Sequence, residues 1–271
     1  MTSPDTSSSD PVVVDADAST GVCTITLSRP EAMNSLDVAT KEALLAALRE
    51  AASDDAVRCV VLTGSGRAFC VGQDLKEHVG LLAQDAEALW RTVSEHYNPI
   101  VELIATMDKP VVAAVNGVAA GAGAAFAFAA DLRYVAESAG FNLAFTGIGL
   151  SCDSGTSWTL PRLIGPAKAK ELLLFPRTVG SQEAAELGLA TEVVADADLA
   201  GRVAEVAAAL AQGPTLAYGS VRRAIEFSAA HGLTDSLDFE DQMMTRTGTS
   251  ADHRAAVDAF LAKEKPRFEG R

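Results

Sequence analysis

The 271 residues include 48% hydrophobic side chains, enough for a sizeable core and too many for wholesale disorder, which needs low hydrophobicity and high charge. Lys and Arg number 22 against 36 Asp and Glu, leaving a formal net charge of −14. That field repels phosphate backbones and argues against a nucleic-acid partner, and any anionic ligand needs a local basic patch.

The Ser-, Asp- and Pro-rich start, residues 1–11, reads as a disordered leader, since it lacks the basic and apolar regions of a signal peptide. A strand is expected at 22–27 from the alternation in Val-Cys-Thr-Ile-Thr-Leu. Residues 34–53 place Leu36, Leu44, Leu45 and Leu48 at helical spacing, with Ser35 or Asp37 available as N-cap. The short apolar run 59–63, ended by Gly64-Ser-Gly66, suits a strand buried on both faces. A helical region over 81–107 is interrupted near Pro99, and a strand at 110–115 leads through Asn116-Gly117 into an Ala-rich helix reaching Ala130. Further strands are expected at 132–136 and 141–145. The apolar stretch 111–130 contains Asn116, Gly117, Gly121 and Gly123, which favours strand, turn and buried helix over a bilayer span. After Gly155 only helical patterns remain, at 167–174, 181–187, 199–211, 215–229, 235–245 and 251–263. The last of these form a tail too small to hold its own core, which must pack on a neighbour. Four scattered cysteines form no C-x-x-C pair, so neither a disulfide framework nor a metal site is expected, and the compartment reads as cytoplasmic.

Three segments sit where a strand gives way to a turn. Residues 64–74 are Gly-rich and end in Gln73-Asp74, able to aim backbone amides at a ligand or simply to form a surface loop. Residues 116–126 open a helix whose free N–H groups stabilise negative charge. A dinucleotide fingerprint fits them poorly because Phe126 takes the third small-residue position. Small residues for tight helix packing are the structural alternative. The third segment, 149–162, carries Asp153 ahead of a helix, either as an N-cap or as a carboxylate desolvated beside Cys152, Trp158 and Leu160. The four histidines fall on helical stretches and read as solvated. Neither a nucleophile elbow nor a Walker loop is present, which removes hydrolase and NTPase readings.

Four collinear stretches resemble the crotonase, or enoyl-CoA hydratase/isomerase, superfamily: Ser28-Arg-Pro-Glu-Ala-Met-Asn34, Ala68-Phe-Cys-Val-Gly-Gln-Asp-Leu75, Lys109-Pro-Val-Val-Ala-Ala-Val-Asn-Gly117 and Phe260-Leu-Ala-Lys-Glu-Lys-Pro266. The resemblance implies an α/β fold, a spiral of ββα repeats over 12–196, followed by a helical trimerisation region over 197–271 in a homotrimer or dimer of trimers. It implies an acyl-CoA thioester substrate, no membrane or nucleic-acid partner, and no cofactor beyond the CoA that the substrate carries. By position, the backbone N–H groups of Gln73 and Gly123 would form an oxyanion hole, with Gln73, Asp74, Leu75, Lys76, Gly123, Phe145 and Trp158 binding substrate and Lys76 near the CoA phosphates. The family's two hydratase glutamates fall on Ala125 and Phe145, which cannot transfer protons, so water addition is not expected. Asp153 matches the acid/base aspartate of some isomerase branches, and its surroundings look most like the ring-1,2-epoxyphenylacetyl-CoA isomerase branch. The expected activity is therefore a double-bond shift or ring-epoxide isomerisation with one aspartate as acid and base. The alternatives are hydration by family analogy, an aspartate-nucleophile aryl-CoA dehalogenase, and a non-catalytic acyl-CoA binder.

Overall fold

A computed structural model describes residues 10–271, so that most of the expected leader lies outside the described residues. Two sheets are built together by a repeated unit. Strands β1 (Val12–Asp17) and β2 (Val22–Leu27) form an antiparallel hairpin, followed by α1 (Val38–Ser53). In each later unit the first strand joins a large sheet and the second a small one: β3 (Cys59–Gly64) with β4 (Ala68–Cys70), β5 (Val111–Val115) with β6 (Val118–Ala120), and β7 (Leu132–Ala136) with β8 (Gly140–Asn142). A helix follows each pair: α2 (Leu75–Gln84), α5 (Ala122–Ala129) and α6 (Thr156–Leu174). Strand β9 (Thr178–Gly180) closes the small sheet, and β10 (Glu192–Val194) the large one, with α7 (Ser181–Leu187) between them. The orders are β1-β2-β3-β5-β7-β10 and β4-β6-β8-β9.

The patterning explains these places. Strand β5, Val-Val-Ala-Ala-Val, is buried throughout and pairs in parallel with β3 and β7, as an interior strand covered on both faces does. In β2 burial alternates with the period of the strand. Asp37 rather than Ser35 caps α1, accepting the Thr40 N–H at 2.9 Å. Between α2 and β5 the chain runs through α3 (Ala86–Thr92), a wider π-type turn (Val93–Tyr97) and α4 (Asn98–Thr106). The α-helix is interrupted near Pro99 as expected: the π-type turn ends just before it, and Pro99 lies in the first turn of α4, where its missing N–H is tolerated.

Five strands depart from the expected pattern. Strands β4, β6, β9 and β10 have three residues each, too few to display a period, and β1 is an edge strand exposed along most of its length; their pairing comes from neighbours in other parts of the chain. The expected strand at 141–145 ends at Asn142, and the helix expected from 167 begins at Thr156, broken by a non-helical Gly165. Helix α8 (Leu199–Ala211) buries Leu199, Val203, Ala207 and Ala211 against the large sheet. The helical region that stands off the core thus starts at α9 (Thr215–Ser228) and continues through α10 (Leu233–Gly248) and α11 (Ala251–Ala262), later than the boundary at 197. Arg222 on α9 ties that region to the core through Asp131 and the main-chain oxygens of Ile104, Ala105, Met107 and Lys109. None of the described helices is long and apolar enough to cross a membrane.

One close approach joins the two parts that shape the cavity described below. An added Cβ at Gly123 in α5 would lie 2.2 Å from the Cys70 carbonyl oxygen at the end of β4. Backbone cannot yield to that overlap without separating β4 from α5. We expect Gly123→Ala to cost about 3 kcal/mol, the upper range for overpacking a core. Urea unfolding measures this directly, and an unchanged midpoint would show that the two elements are not held this tightly.

Candidate active site

A cavity of about 710 Å³ opens beside β4, the N-terminus of α5 and the segment before α6. Its wall gathers residues distant in sequence, including Arg29, Gln73, Lys76, Tyr97, Ala122, Phe145 and Asp153.

The Gln73 amide is aimed by pairing. Leu36 N–H donates to the Gly72 carbonyl at 2.8 Å, and Asp74 N–H donates to Leu36 O at 3.1 Å. In a trans peptide the carbonyl and the following N–H point in opposite directions. The Gly72–Gln73 peptide, with its oxygen on Leu36, therefore turns the Gln73 N–H away from Leu36, and Gln73 lines the cavity. Gly72 at φ +82° makes the bend, and a Cβ there would sit 3.4 Å from the Ala122 nitrogen, so the two backbones are neighbours.

Gly121 at φ +52° caps α5, and its own N–H donates to Asn142 O at 3.0 Å. Ala122 is then the first helical residue, one of the positions whose N–H has no partner within the helix. Ala122 lines the cavity, whereas Gly123 is turned against Cys70 and does not. Ala122, rather than the expected Gly123, thus brings the open N-terminus of α5 to the cavity wall. Two small residues one position apart look equivalent in sequence, and only the direction of packing separates them.

The loop before Gln73 is held by two asparagines. Asn34, fully buried at φ +56°, donates to the carbonyls of Ser65, Ala68 and Phe69 and accepts the Arg29 N–H. Asn116 accepts the Gly64 N–H at 3.1 Å and donates to Gly66 O and Ala68 O. A second frame holds the Gln73 side chain, whose amide donates to Glu77 Oε1 at 2.9 Å while its oxygen accepts from the Tyr97 hydroxyl. Lys41, 1% exposed, pairs with Glu77 at 2.8 Å. Sequence reading missed Lys41, Glu77 and Tyr97; the four-residue spacing of Gln73 and Glu77 is the one local signal they leave.

Of the expected substrate-binding residues, Gln73, Asp74, Leu75, Lys76 and Phe145 line the cavity. Asp74 also has structural work. It caps α2 at the Lys76 and Glu77 amides and pairs with Arg29 at 3.1 Å. Burial would raise its carboxyl, but the bonds from Ser35, the Glu77 amide, Arg29 and the Lys76 amide outweigh this and hold it below the ordinary value. Trp158 is a correction: it stands outside the cavity, 37% exposed, with the Arg162 guanidinium 4.0 Å from its ring centroid. The first turn of α6 points that side chain outward, and the apolar wall comes instead from Leu89, Val93, Phe145, Ile148 and Leu150. His78, expected on a solvated face, lies at the cavity wall edge-on to Trp90.

Asp153 is half-buried on that wall, and its carboxyl is raised above the ordinary range by desolvation, which the Ser154 hydroxyl bond offsets in part. The Asp153 charge in turn adds to the effect of burial in raising the nearby Tyr97 phenol. No ion pair to Asp153 occurs among the described residues. The two positions of the missing glutamates are filled by carbon: Ala125 is fully buried within α5, and Phe145 lines the cavity. Among the described residues there is no cluster of three or more metal-ligating side chains.

The profile of the enoyl-CoA hydratase/isomerase family matches residues 17–271. A Rhodobacter capsulatus protein named probable enoyl-CoA hydratase is 44% identical over 253 residues, covering 93% of this chain and 96% of its own. The 1,2-epoxyphenylacetyl-CoA isomerase of Escherichia coli K12 is 41% identical over 251 residues, covering 93% of this chain and 96% of its own. The crystal structure of an enoyl-CoA hydratase from Bacillus anthracis superposes with a TM-score of 0.91 at 34% identity, over 96% of this chain and all of that one. These similarities, extending across the fold and the whole cavity just described, make the chain a member of the enoyl-CoA hydratase/isomerase, or crotonase, family.

Proposed function

We propose that this protein is an acyl-CoA thioester isomerase that shifts a double bond, or opens and rearranges a ring epoxide, through an enolate. The observation that carries the reading is a carboxyl raised by desolvation, Asp153, sharing a cavity with the Ala122 N–H at the start of α5 and the Gln73 N–H that the Leu36 pairing orients. The thioester oxygen would rest on the two amides, each such donor contributing about 3–4 kcal/mol as charge develops. Asp153 removes a proton from one carbon of the acyl chain, the electrons pass to the thioester oxygen, and the same carboxyl returns the proton to another carbon. Nothing is consumed, so the cycle needs no cofactor beyond the CoA of the substrate. The exposed Lys76 at the cavity supplies positive charge for the CoA phosphates in an otherwise acidic chain.

Hydration is the competing reading, suggested by the names of several relatives. It calls for groups that hold and activate a water, and the positions for them are Ala125 and Phe145. A crotonyl-CoA assay followed by mass spectrometry is expected to show no gain of a water. Conversion to the 3-hydroxy product at ordinary hydratase rates would reverse this choice.

On trans-3-hexenoyl-CoA, Asp153→Asn is expected to lose at least about 100-fold in kcat, the lower end for removal of a general acid/base, while the variant still binds the thioester. The base must be ionised, and burial raises its carboxyl, so kcat/KM falls on the acid side at a pH above the ordinary carboxylate value. A limb at or below pH ~4 would contradict a desolvated base.

The same shift has an opposite sign for stability. A carboxyl whose folded pKa is raised carries a cost once the pH exceeds that value, and none below its unfolded value. Asp153→Asn is therefore expected to raise Tm at neutral pH, with the gain vanishing below the ordinary carboxylate range. An equal Tm change at both pH values would rule out desolvation as the cause.

A homotrimer or dimer of trimers is part of the proposal, supported by the exposed Leu233, Leu237 and Met244 on α10 and Phe260 and Leu261 on α11. Sedimentation equilibrium is expected to give three or six copies, and a monomer at micromolar concentration would overturn this assembly.

A further inference from the structure

The residue after Asp153 occupies a costly conformation. Ser154 is 1% exposed and has φ +51°, and the following Gly155 has φ +71°. Thr156 N–H closes the turn on the Asp153 carbonyl at 2.9 Å. Two central residues at positive φ within such a turn are the pattern of type I′, where Asn and Gly dominate and a serine is strained. Glycine at 154 would make the same turn at lower conformational cost. What glycine lacks is the hydroxyl, and the Ser154 hydroxyl donates to Asp153 Oδ1 at 2.9 Å, its one hydrogen bond among the described residues.

This bond divides the two oxygens of the carboxylate. Oδ1 is occupied by the Ser154 hydroxyl, while no other residue donates a hydrogen bond to Oδ2 among the described residues; besides Ser154 only the main-chain N–H of Asp153 itself reaches the carboxyl. A donor on Oδ1 lowers the basicity of that oxygen, and the carboxyl cannot rotate without breaking the bond. We propose that Ser154 is a positioning residue that pins Oδ1, so that Oδ2 alone carries the proton from the carbon it leaves to the carbon it joins. The inference rests on Asp153 serving as acid and base, as proposed above. For a 3-enoyl thioester the C2–H bond breaks and an Oδ2–H bond forms, with the electron pair entering the dienolate. The Oδ2–H bond then breaks as a C4–H bond forms, and the carboxylate is regenerated. Holding one oxygen against a buried turn keeps the proton on a single short path and shortens its time for exchange with water.

The test is turnover of trans-3-hexenoyl-CoA in D2O by the wild type and by Ser154→Ala, Ser154→Gly and Asp153→Asn, with deuterium in the product, the kcat/KM pH profile and Tm measured together. Both serine variants are expected to lose about tenfold or more in kcat with KM little changed, and to incorporate more deuterium. Their acid limb should move up by about one pH unit, the equivalent of a tenfold change in proton affinity, because the lost donor favoured the charged form. Ser154→Gly should be at least as stable as wild type, since it relieves the left-handed strain, whereas Ser154→Ala keeps that strain. A Ser154→Gly enzyme with wild-type kcat, pH limb and deuterium content would reduce Ser154 to a turn residue and overturn the proposal, even while Asp153→Asn is inactive. If instead Asp153→Asn retains isomerisation, or the wild type neither isomerises this thioester nor exchanges its C2 protons, the base assignment fails and takes this inference with it.

Discussion

The absence of one methyl group at Gly123 sets the distance on which the cavity depends. Because no Cβ stands between the helix and the Cys70 carbonyl, the end of β4 lies directly against the first turn of α5. Each element brings one amide by independent means, Gln73 through the trans peptide held on Leu36 and Ala122 through its place at the helix start. Neither means requires a ligand. Both amides are oriented by folding itself, so in the proposed reaction they would meet a developing charge without the reorganisation that water would undergo.

Rigidity is then added around Gln73. The Lys41–Glu77 pair, the Gln73 amide and the Tyr97 hydroxyl form one connected polar network beside an apolar wall. A buried charge pair contributes little net stability compared with a well-packed apolar substitute, but it becomes costly to disturb once formed. Such a network suits a site where placement matters more than total stability. Asn34 and Asn116 play the same part for the loop behind it, satisfying carbonyls that a Gly-rich turn would otherwise leave buried without partners.

Asp153 represents the opposite compromise. Its carboxyl is kept partly out of water and has no ion pair among the described residues, which destabilises the ionised form and makes it a stronger base. Asp74, which lines the same cavity, carries an identical functional group held below its ordinary value by Ser35, Arg29 and two amides. Two aspartates in one cavity thus differ in character through their neighbours alone, one serving as a structural anion and the other available for proton transfer.

Much of this organisation could be read along the chain. Apolar runs and alternation located the interior strands β2, β3, β5 and β7 because burial on one or two faces writes directly into residue type. The motifs around Gln73, Asn116 and Asp153 marked the strand-to-turn junctions, and the replacement of two glutamates by Ala125 and Phe145 was visible without coordinates. The short strands β4, β6, β9 and β10 were not visible, since three residues cannot show a period, nor was the largely exposed edge strand β1. Nor could sequence separate Ala122 from Gly123, place Trp158 outside the cavity, or connect Lys41 to Glu77, Gln73 and Tyr97. Residue type and spacing carry local preference and burial, whereas the direction of an N–H bond and the partner of a buried charge are set only when segments far apart in the chain come into contact.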